Sequence, residues 1–416
     1  MKINQIFKSN FLTSISLLAF GSILAQVVCF FLLPLITRIY SPEEFAIFTY
    51  ILSVAAIFMG IINCRYDLII VKINTEKEVF SLIKGALIIG ILCSFFISLV
   101  GGFFFVRKNG FQWYHTLYLL LFLLSYAIIN VLSAYNNRQQ EYKILSSVNI
   151  IRPVSQNLGA LFLGLLHLGA NGLLISYVVG QMFGISKQNQ SLKGKWGFVR
   201  KIPNTVVWSS LKEHKSQLYF STPAQLVNSL SYSSLTIIVE ALFGLPVLGL
   251  YSLSVRLLGL PLSVISGNVS KVFYERAARE YETCGSYQKT LRKTFVFLLL
   301  LAIPMVLGMM TFIPNLCGYF LGETWRTAGD YIFILAPMFG IRFIVSALSP
   351  ALIIVNKQKK EFYLQMIFIL FVMLSFLLND VFDGDINCFL TLVSIFFSVA
   401  YMLYFVEIAR YSLKKI

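Results

Sequence analysis

The chain has 416 residues, 57% of them hydrophobic and only 12% charged, with a mean hydropathy of +0.77. A water-soluble domain carries roughly a quarter charged residues, so too little polar surface is present to cover a globule in water, and lipid is the solvent that suits the chain. The net charge of +16 is spread over the breaks between apolar runs, which points to membrane orientation and away from nucleic-acid binding.

Apolar runs fall at about 11–36, 45–64, 79–106, 114–135, 144–166, 170–186, 218–243, 247–269, 294–312, 331–355, 362–378 and 386–408. A helix needs about 20 apolar residues to cross the hydrocarbon core, so these runs predict an all-α membrane protein of about twelve transmembrane helices. The first run is too long for a signal-peptide core and lacks a small-x-small cleavage site, so it reads as a retained helix. The longest connection, Lys187 to Lys215, divides the chain into a six-helix lobe at 1–186, a basic cytoplasmic linker at 187–215 and a second six-helix lobe at 216–416.

Alternate counting of Lys and Arg fixes the expected orientation. With the N-terminus cytoplasmic, only Arg38, Arg107, Lys108 and Arg326 fall on the opposite side, while Lys84, Arg152, Arg256 and Arg342 lie inside runs. The rest of the 34 basic residues are cytoplasmic. Both termini are therefore expected in the cytoplasm, with the basic loops against anionic headgroups. Six helices per lobe make any repeat axis parallel to the membrane normal. Weak similarity between the segments opened by Pro42 and Pro246 supports such a repeat.

The run at 218–243 is unusually polar. It carries Ser221, Thr222, Gln225, Asn228, Ser229, Ser231, Ser233, Ser234 and Thr236, too many for lipid on all sides. Gln225, Asn228 and Ser231 are candidates to line a water-filled cavity. The first run, with Thr13, Ser14, Ser16, Ser22 and Gln26, fits cavity lining and interhelical bonding equally well.

Cations within the runs carry the chemistry. An Arg or Lys at a helix centre costs roughly 2.5–3.5 kcal/mol on insertion scales. Counted from the run starts at 1.5 Å per residue, Arg256 lies about 13 Å deep, Arg342 about 16 Å, Arg152 about 12 Å and Lys84 about 8 Å. Lys84 is shallow enough to snorkel to the interface, and Arg152 fits snorkelling or cavity lining. Arg65 lies at a cytoplasmic helix end. Glu240 is the comparable carboxylate, near an outer end. A cationic interior with few anions expects an anionic ligand. The planar guanidinium fork suits phosphate oxygens, so Arg256 and Arg342 are the expected central site, with Arg152, Lys84 and Arg65 nearer the cytoplasmic mouth.

Motifs for bond-making chemistry are not seen. His115, His167 and His214 have no metal-ligand spacing, and the six cysteines (Cys29, Cys64, Cys93, Cys284, Cys317, Cys388) are scattered without a C-x-x-C pair. No metal, cofactor or catalytic residue is expected.

The stretch from Leu33-Pro34-Leu35-Ile36-Thr37-Arg38 through Ile39-Tyr40-Ser41-Pro42-Glu43-Glu44-Phe45-Ala46-Ile47-Phe48, and the stretch Asn63-Cys64-Arg65-Tyr66-Asp67-Leu68-Ile69-Ile70, resemble bacterial O-antigen and polysaccharide repeat-unit flippases. These belong to the multidrug/oligosaccharidyl-lipid/polysaccharide exporter superfamily. Ala46 departs from the glycine common there. The resemblance implies two six-helix lobes around a central cavity in the bacterial inner membrane. It also implies an undecaprenyl-diphosphate-linked oligosaccharide moved from the cytoplasmic to the periplasmic leaflet by alternating access. Expected partners are that polyprenyl-diphosphate-linked oligosaccharide, membrane lipids, and polymerase and chain-length proteins of the same pathway. The rivals are a drug or cation antiporter of the same superfamily, which would need intramembrane carboxylates, a polysaccharide polymerase or ligase, which would need a sizeable outer loop, and the lipid II flippase group, to which the resemblance gives two further helices. The wider superfamily resemblance also implies coupling to a proton or sodium gradient, for which Glu240 is the candidate carboxylate.

Overall fold

The computed structural model describes residues 23–413 apart from Lys72, Asn74, Asn109, Ser216 and Asn356. Thr13, Ser14, Ser16 and Ser22 lie outside the described residues. Among those described, helix dominates and no strand occurs. The long helices are α1 (Ile23–Ile39), α2 (Pro42–Met59), α3 (Glu76–Val106), α4 (His115–Arg138), α5 (Tyr142–Leu165) and α6 (Ala170–Gln188). After them comes a continuous segment, Thr222–Pro261, broken at Gly244 with φ 80° and ψ −179°. That break, two residues before Pro246, separates α7 (222–243) from α8. Helix α8 runs on through a π-helical turn at Leu262–Ser266 into Gly267–Cys284, well beyond the end expected near residue 269. Then come α9 (Gln288–Thr311), α10 (Arg326–Leu348), α11 (Gln358–Val381) and α12 (Ile386–Ser412).

Among the described residues, eight helical segments are long and apolar enough to cross a membrane, with α7 and α8 joined as one of them. Helix α3 exposes Leu92, Phe95, Phe96, Leu99, Phe103 and Phe104 along its length. A face of that size would not stay in water and is a lipid-facing one.

Local sequence explains several helix starts. Ser41 and Glu44 form a reciprocal capping box ahead of α2, with Ser41 N–H donating to Glu44 Oε2 at 2.8 Å and Glu44 N–H to Ser41 Oγ at 3.2 Å. Pro42 occupies the first helical position, where its missing N–H costs nothing. Asp385 accepts from the Cys388 N–H to open α12.

Two compact units emerge. The first comprises residues up to Tyr40 together with Ile47–Ser229, and the second Ser41–Ala46 with Leu230 onwards. In the first, α3 packs on α4 and α5 on α6 through small residues. A Cβ on Gly90 would strike Asn63 and Ala127, and one on Gly180 would strike the Arg152 carbonyl. Without a hydrophobic drive between helices in lipid, such close backbone approach supplies the packing.

Helix α2 stops at Met59 although its apolar run continues to Cys64. Asn63 turns inward, its Nδ2 donating to the Ala86 and Ala127 carbonyls (2.9 and 3.1 Å). Asn130 Nδ2 donates to Asn63 Oδ1 and to the Met59 carbonyl (3.2 and 2.9 Å). These amides satisfy groups that unwinding leaves open, and Cys64 and Arg65 take the left-handed conformation (φ 48° and 61°). Irregular backbone inside a bundle persists only where such partners exist.

The segment 187–215 is folded, not slack. Its short helices Trp196–Lys201 and Asn204–Glu213 dock on the first unit, with Leu192, Val199, Ile202, Val207 and Leu211 in one apolar cluster with Val79, Leu82, Val131 and Tyr135. Tyr66 donates to the Leu211 carbonyl and Ser81 bonds Ser210. Lys195 bonds the Tyr135 hydroxyl at 3.0 Å, which holds the Lys195 pKa above its ordinary value.

In the second unit, Ser254 Oγ donates to the Ala328 carbonyl (2.8 Å) and Ser266 Oγ to the Phe343 carbonyl (2.9 Å). The contacts advance together along both chains, so α8 and α10 run parallel. The two proline-led helix starts meet here, since a Cβ on Gly249 would collide with the Pro42 backbone. Phe45 packs edge-on against the buried Trp325, ring centroids 5.7 Å apart.

Candidate functional site

The intramembrane cations fall into distinct settings. Lys84, expected among the cavity cations, donates its ammonium to the Ile202 carbonyl at 2.6 Å and more weakly to the Arg200 carbonyl at 3.4 Å. It therefore ties α3 to the last turn of a docked short helix, where a cation suits the exposed carbonyls. Its ammonium is thus engaged by backbone carbonyls, a structural tie that fits the snorkelling reading of its shallow position.

Arg152 lies ten residues into α5, about 15 Å along it at 1.5 Å per residue. Its Nη2 donates to the Tyr126 hydroxyl (3.2 Å), and its guanidinium carbon sits 5.3 Å from the Tyr126 ring centre. The Tyr126 and Tyr177 hydroxyls bond each other at 3.1 Å. Gly184 makes room for the stem, since a Cβ there would strike Arg152 Cγ and Cδ. Arg152 Nε is buried and has no hydrogen-bond partner among the described residues. A buried charged donor left open is costly, and it is the feature an anionic ligand would complete. Arg65 shares that feature, its Nε also buried without a partner, just past the unwound end of α2.

Arg256 and Arg342 both belong to the second unit. The Arg256 guanidinium lies 5.8 Å from the Phe45 ring centre and that of Arg342 lies 5.3 Å from the Phe339 ring centre. Both are half-buried. The register of α8 on α10 places them at different levels. The Arg256 backbone, two residues past Ser254, is about level with Asp330 along α10, whereas the Arg342 backbone, next to Phe343, is level with Ser266. About a dozen residues of α10 separate the levels, about 18 Å at 1.5 Å per residue. The two arginines thus leave their helices at different backbone levels.

The polar residues also divide. Gln225 lies against Gly60, where a Cβ would approach its Nε2 to 3.1 Å, and its amide donates to Ser229. It thus borders the unwound end of α2. Gln26 and Asn228 are half-buried. Ser231 is 1% exposed and bonds the Gln365 carbonyl at 3.1 Å, so it fastens α7 to α11 instead of lining a cavity. Glu240 is buried in the second unit.

Sequence reasoning passed over Tyr126, Tyr177, Asn63, Asn130 and Phe45. The asparagines could have been found, because an amide inside an apolar run needs a partner. The aromatic neighbours of Arg152 and Arg256 are brought in by tertiary packing alone. Away from the spans, ligand atoms of Glu78, Glu213 and His214 lie within 4.8 Å of one another, a grouping that could hold a metal ion. His214 Nε2 and Glu78 Oε1 are 3.2 Å apart.

The overall fold matches solved transporters over nearly its whole length. The lipid II flippase MurJ in an inward closed conformation aligns with a TM-score of 0.73 at 14% identity, covering 95% of this chain and 90% of that one. An inward-facing multidrug resistance MATE family transporter of the MOP superfamily aligns with a TM-score of 0.66 at 13% identity, covering 96% and 100%. A MOP superfamily transporter from Pyrococcus furiosus, described by the reverse polarity of its binding pocket, aligns with a TM-score of 0.57 at 13% identity, covering 96% and 95%. No curated protein matches by sequence. The likeness defines the fold, one shared with solved transporters of the multidrug/oligosaccharidyl-lipid/polysaccharide superfamily, and the long apolar helices make the chain a multi-pass membrane protein. The sequence profile described as polysaccharide biosynthesis protein matches residues 35–330, and the chain belongs to that family.

Proposed function

We propose that the protein is a flippase that moves a polyprenyl-diphosphate-linked oligosaccharide, the repeat unit of O-antigen or a similar polysaccharide, from the cytoplasmic to the periplasmic leaflet. The observation that carries this reading is the set of cations at helix interiors, above all Arg152 with a buried, unsatisfied Nε. Membership of a polysaccharide biosynthesis family supplies the sugar, and the cations supply the reason for a diphosphate. The reading includes twelve transmembrane helices in two six-helix lobes, 1–186 and 216–416, joined by 187–215, with both termini cytoplasmic in a bacterial inner membrane.

Mechanistically, the cations form stations and not one site. Under the expected orientation, Arg342 lies nearer the cytoplasmic side and Arg256 nearer the outer side. The diphosphate engages one and then the other as access alternates, with Arg152 and Arg65 drawing it in from the cytoplasm. Guanidinium groups resting on rings stay partly desolvated and ready for phosphate. Gln225, Asn228 and Gln26 offer amides to sugar hydroxyls, and Glu240 is the carboxylate available for ion coupling.

Deletion in the native host tests this. Complete lipid-linked repeat units should build up on the inner leaflet while surface polysaccharide disappears. Single units that reach the periplasmic face and fail to lengthen would make the protein a polymerase and sink the proposal.

A further inference from the structure

Between the end of α8 and the start of α9, the second unit contains a cleft of about 390 Å³ bordered by Asn268, Val272, Arg276, Lys293, Thr294 and Phe297. That volume is within the roughly 300–1,000 Å³ typical of small-molecule sites. Its chemistry is layered. Arg276 and Lys293 are exposed and make no ion pair or hydrogen bond among the described residues. The neighbouring carboxylates are engaged elsewhere, Glu275 with Arg279, and Glu280 with the Lys289 and Thr290 N–H groups that it caps at the start of α9 (3.0 and 2.8 Å). One helical turn from the cations, on the side away from the connecting loop, lie Val272 on α8 and Phe297 on α9, 47% and 52% exposed. Residues four apart share a helix face, so each helix sets an apolar side chain beneath its cation. Buried Phe273 closes the floor.

A cationic rim over an apolar wall that opens outward fits an amphiphile standing in a bilayer. We propose that this cleft binds one anionic phospholipid of the surrounding leaflet. Its phosphate sits between Arg276 and Lys293, with Thr294 Oγ1 as a further donor, and an acyl chain lies along Val272 and Phe297. Basic groups near a bilayer surface are drawn to anionic headgroups, and two in one cleft select an anionic headgroup over a zwitterionic one. The proposal does not depend on the identity of the transported substrate.

The test uses purified full-length protein. Wild type and the Arg276→Gln/Lys293→Gln double variant are mixed with phosphatidylglycerol or phosphatidylcholine, and retained lipid is counted by native mass spectrometry. Wild type should retain phosphatidylglycerol at least about fivefold better, and the variant should lose that preference while keeping its lipid-free Tm. Equal retention of both lipids by wild type, or an unchanged preference in the variant, would overturn the proposal. A measurement on wild type alone covers the case of a variant that does not fold. Short-chain phosphatidylglycerol should raise the Tm and equimolar inorganic phosphate should not; an equal rise with phosphate would assign the cleft to free anions and also overturn it.

Discussion

Lys84 and Arg152 stand in the same unit, each a lone cation within an apolar run, and the structure gives their donors opposite surroundings. Around Lys84 two backbone carbonyls take up the ammonium, and the docked segment 187–215 is the beneficiary. Around Arg152, Tyr126, itself bonded to Tyr177, holds the guanidinium and leaves Nε buried and open. What an intramembrane cation does is therefore decided by where its donors go, and depth alone does not tell.

The comparison can be broken at several points. The largest effect is expected in the second unit: Arg256→Ala and Arg342→Ala should each abolish surface glycan at unchanged protein level. Because the proposal has the two acting in sequence, the double variant should be no worse than either single one. Near-normal glycan in both single variants would remove the stations from the account. Next, Arg152→Ala should lower transport by about ten- to a hundredfold, since a hydrogen bond to a charged group is worth about 1.5–3 kcal/mol. Arg152→Lys should restore only part, because an ammonium cannot bond Tyr126 and present a planar fork at once. Initial flipping rates in vesicles would measure both.

Smaller effects sharpen the structural side. Asn63→Leu removes bonds to Ala86, Ala127 and Asn130 and should cost about 1–3 kcal/mol for each buried group left open, seen as a lowered Tm. The mildest is Lys84→Met. It should speed proteolysis within 187–215 without lowering transport per folded molecule; a transport loss with the segment still protected would return Lys84 to the substrate path.

The helical class and most helix positions were legible in the sequence because hydropathy and helix length are set by lipid, which acts residue by residue. Even the break before α8 was marked, by Gly244 and Pro246. The early end of α2 was not, because Ile61 and Ile62 keep the run apolar while Asn63 and Asn130 unwind it through bonds to helices distant in sequence. The same limit governed the site. Arg152, Arg256 and Arg342 could be found as misplaced charges. Their relative levels depend on serine-to-carbonyl ties between α8 and α10, and no periodicity within one helix encodes the stagger between two. Ser231 misled for a related reason, being polar in the sequence yet turned to a neighbouring helix.

The central claim is movement of a diphosphate-linked sugar by way of these arginines. It is tested most directly with protein reconstituted in vesicles and a fluorescent polyprenyl-diphosphate oligosaccharide whose leaflet is read with a membrane-impermeant quencher. Wild type should carry the probe across, and both Arg256→Ala and Arg342→Ala should leave it where it began. No movement with wild type, or equal movement with both variants, would contradict the account.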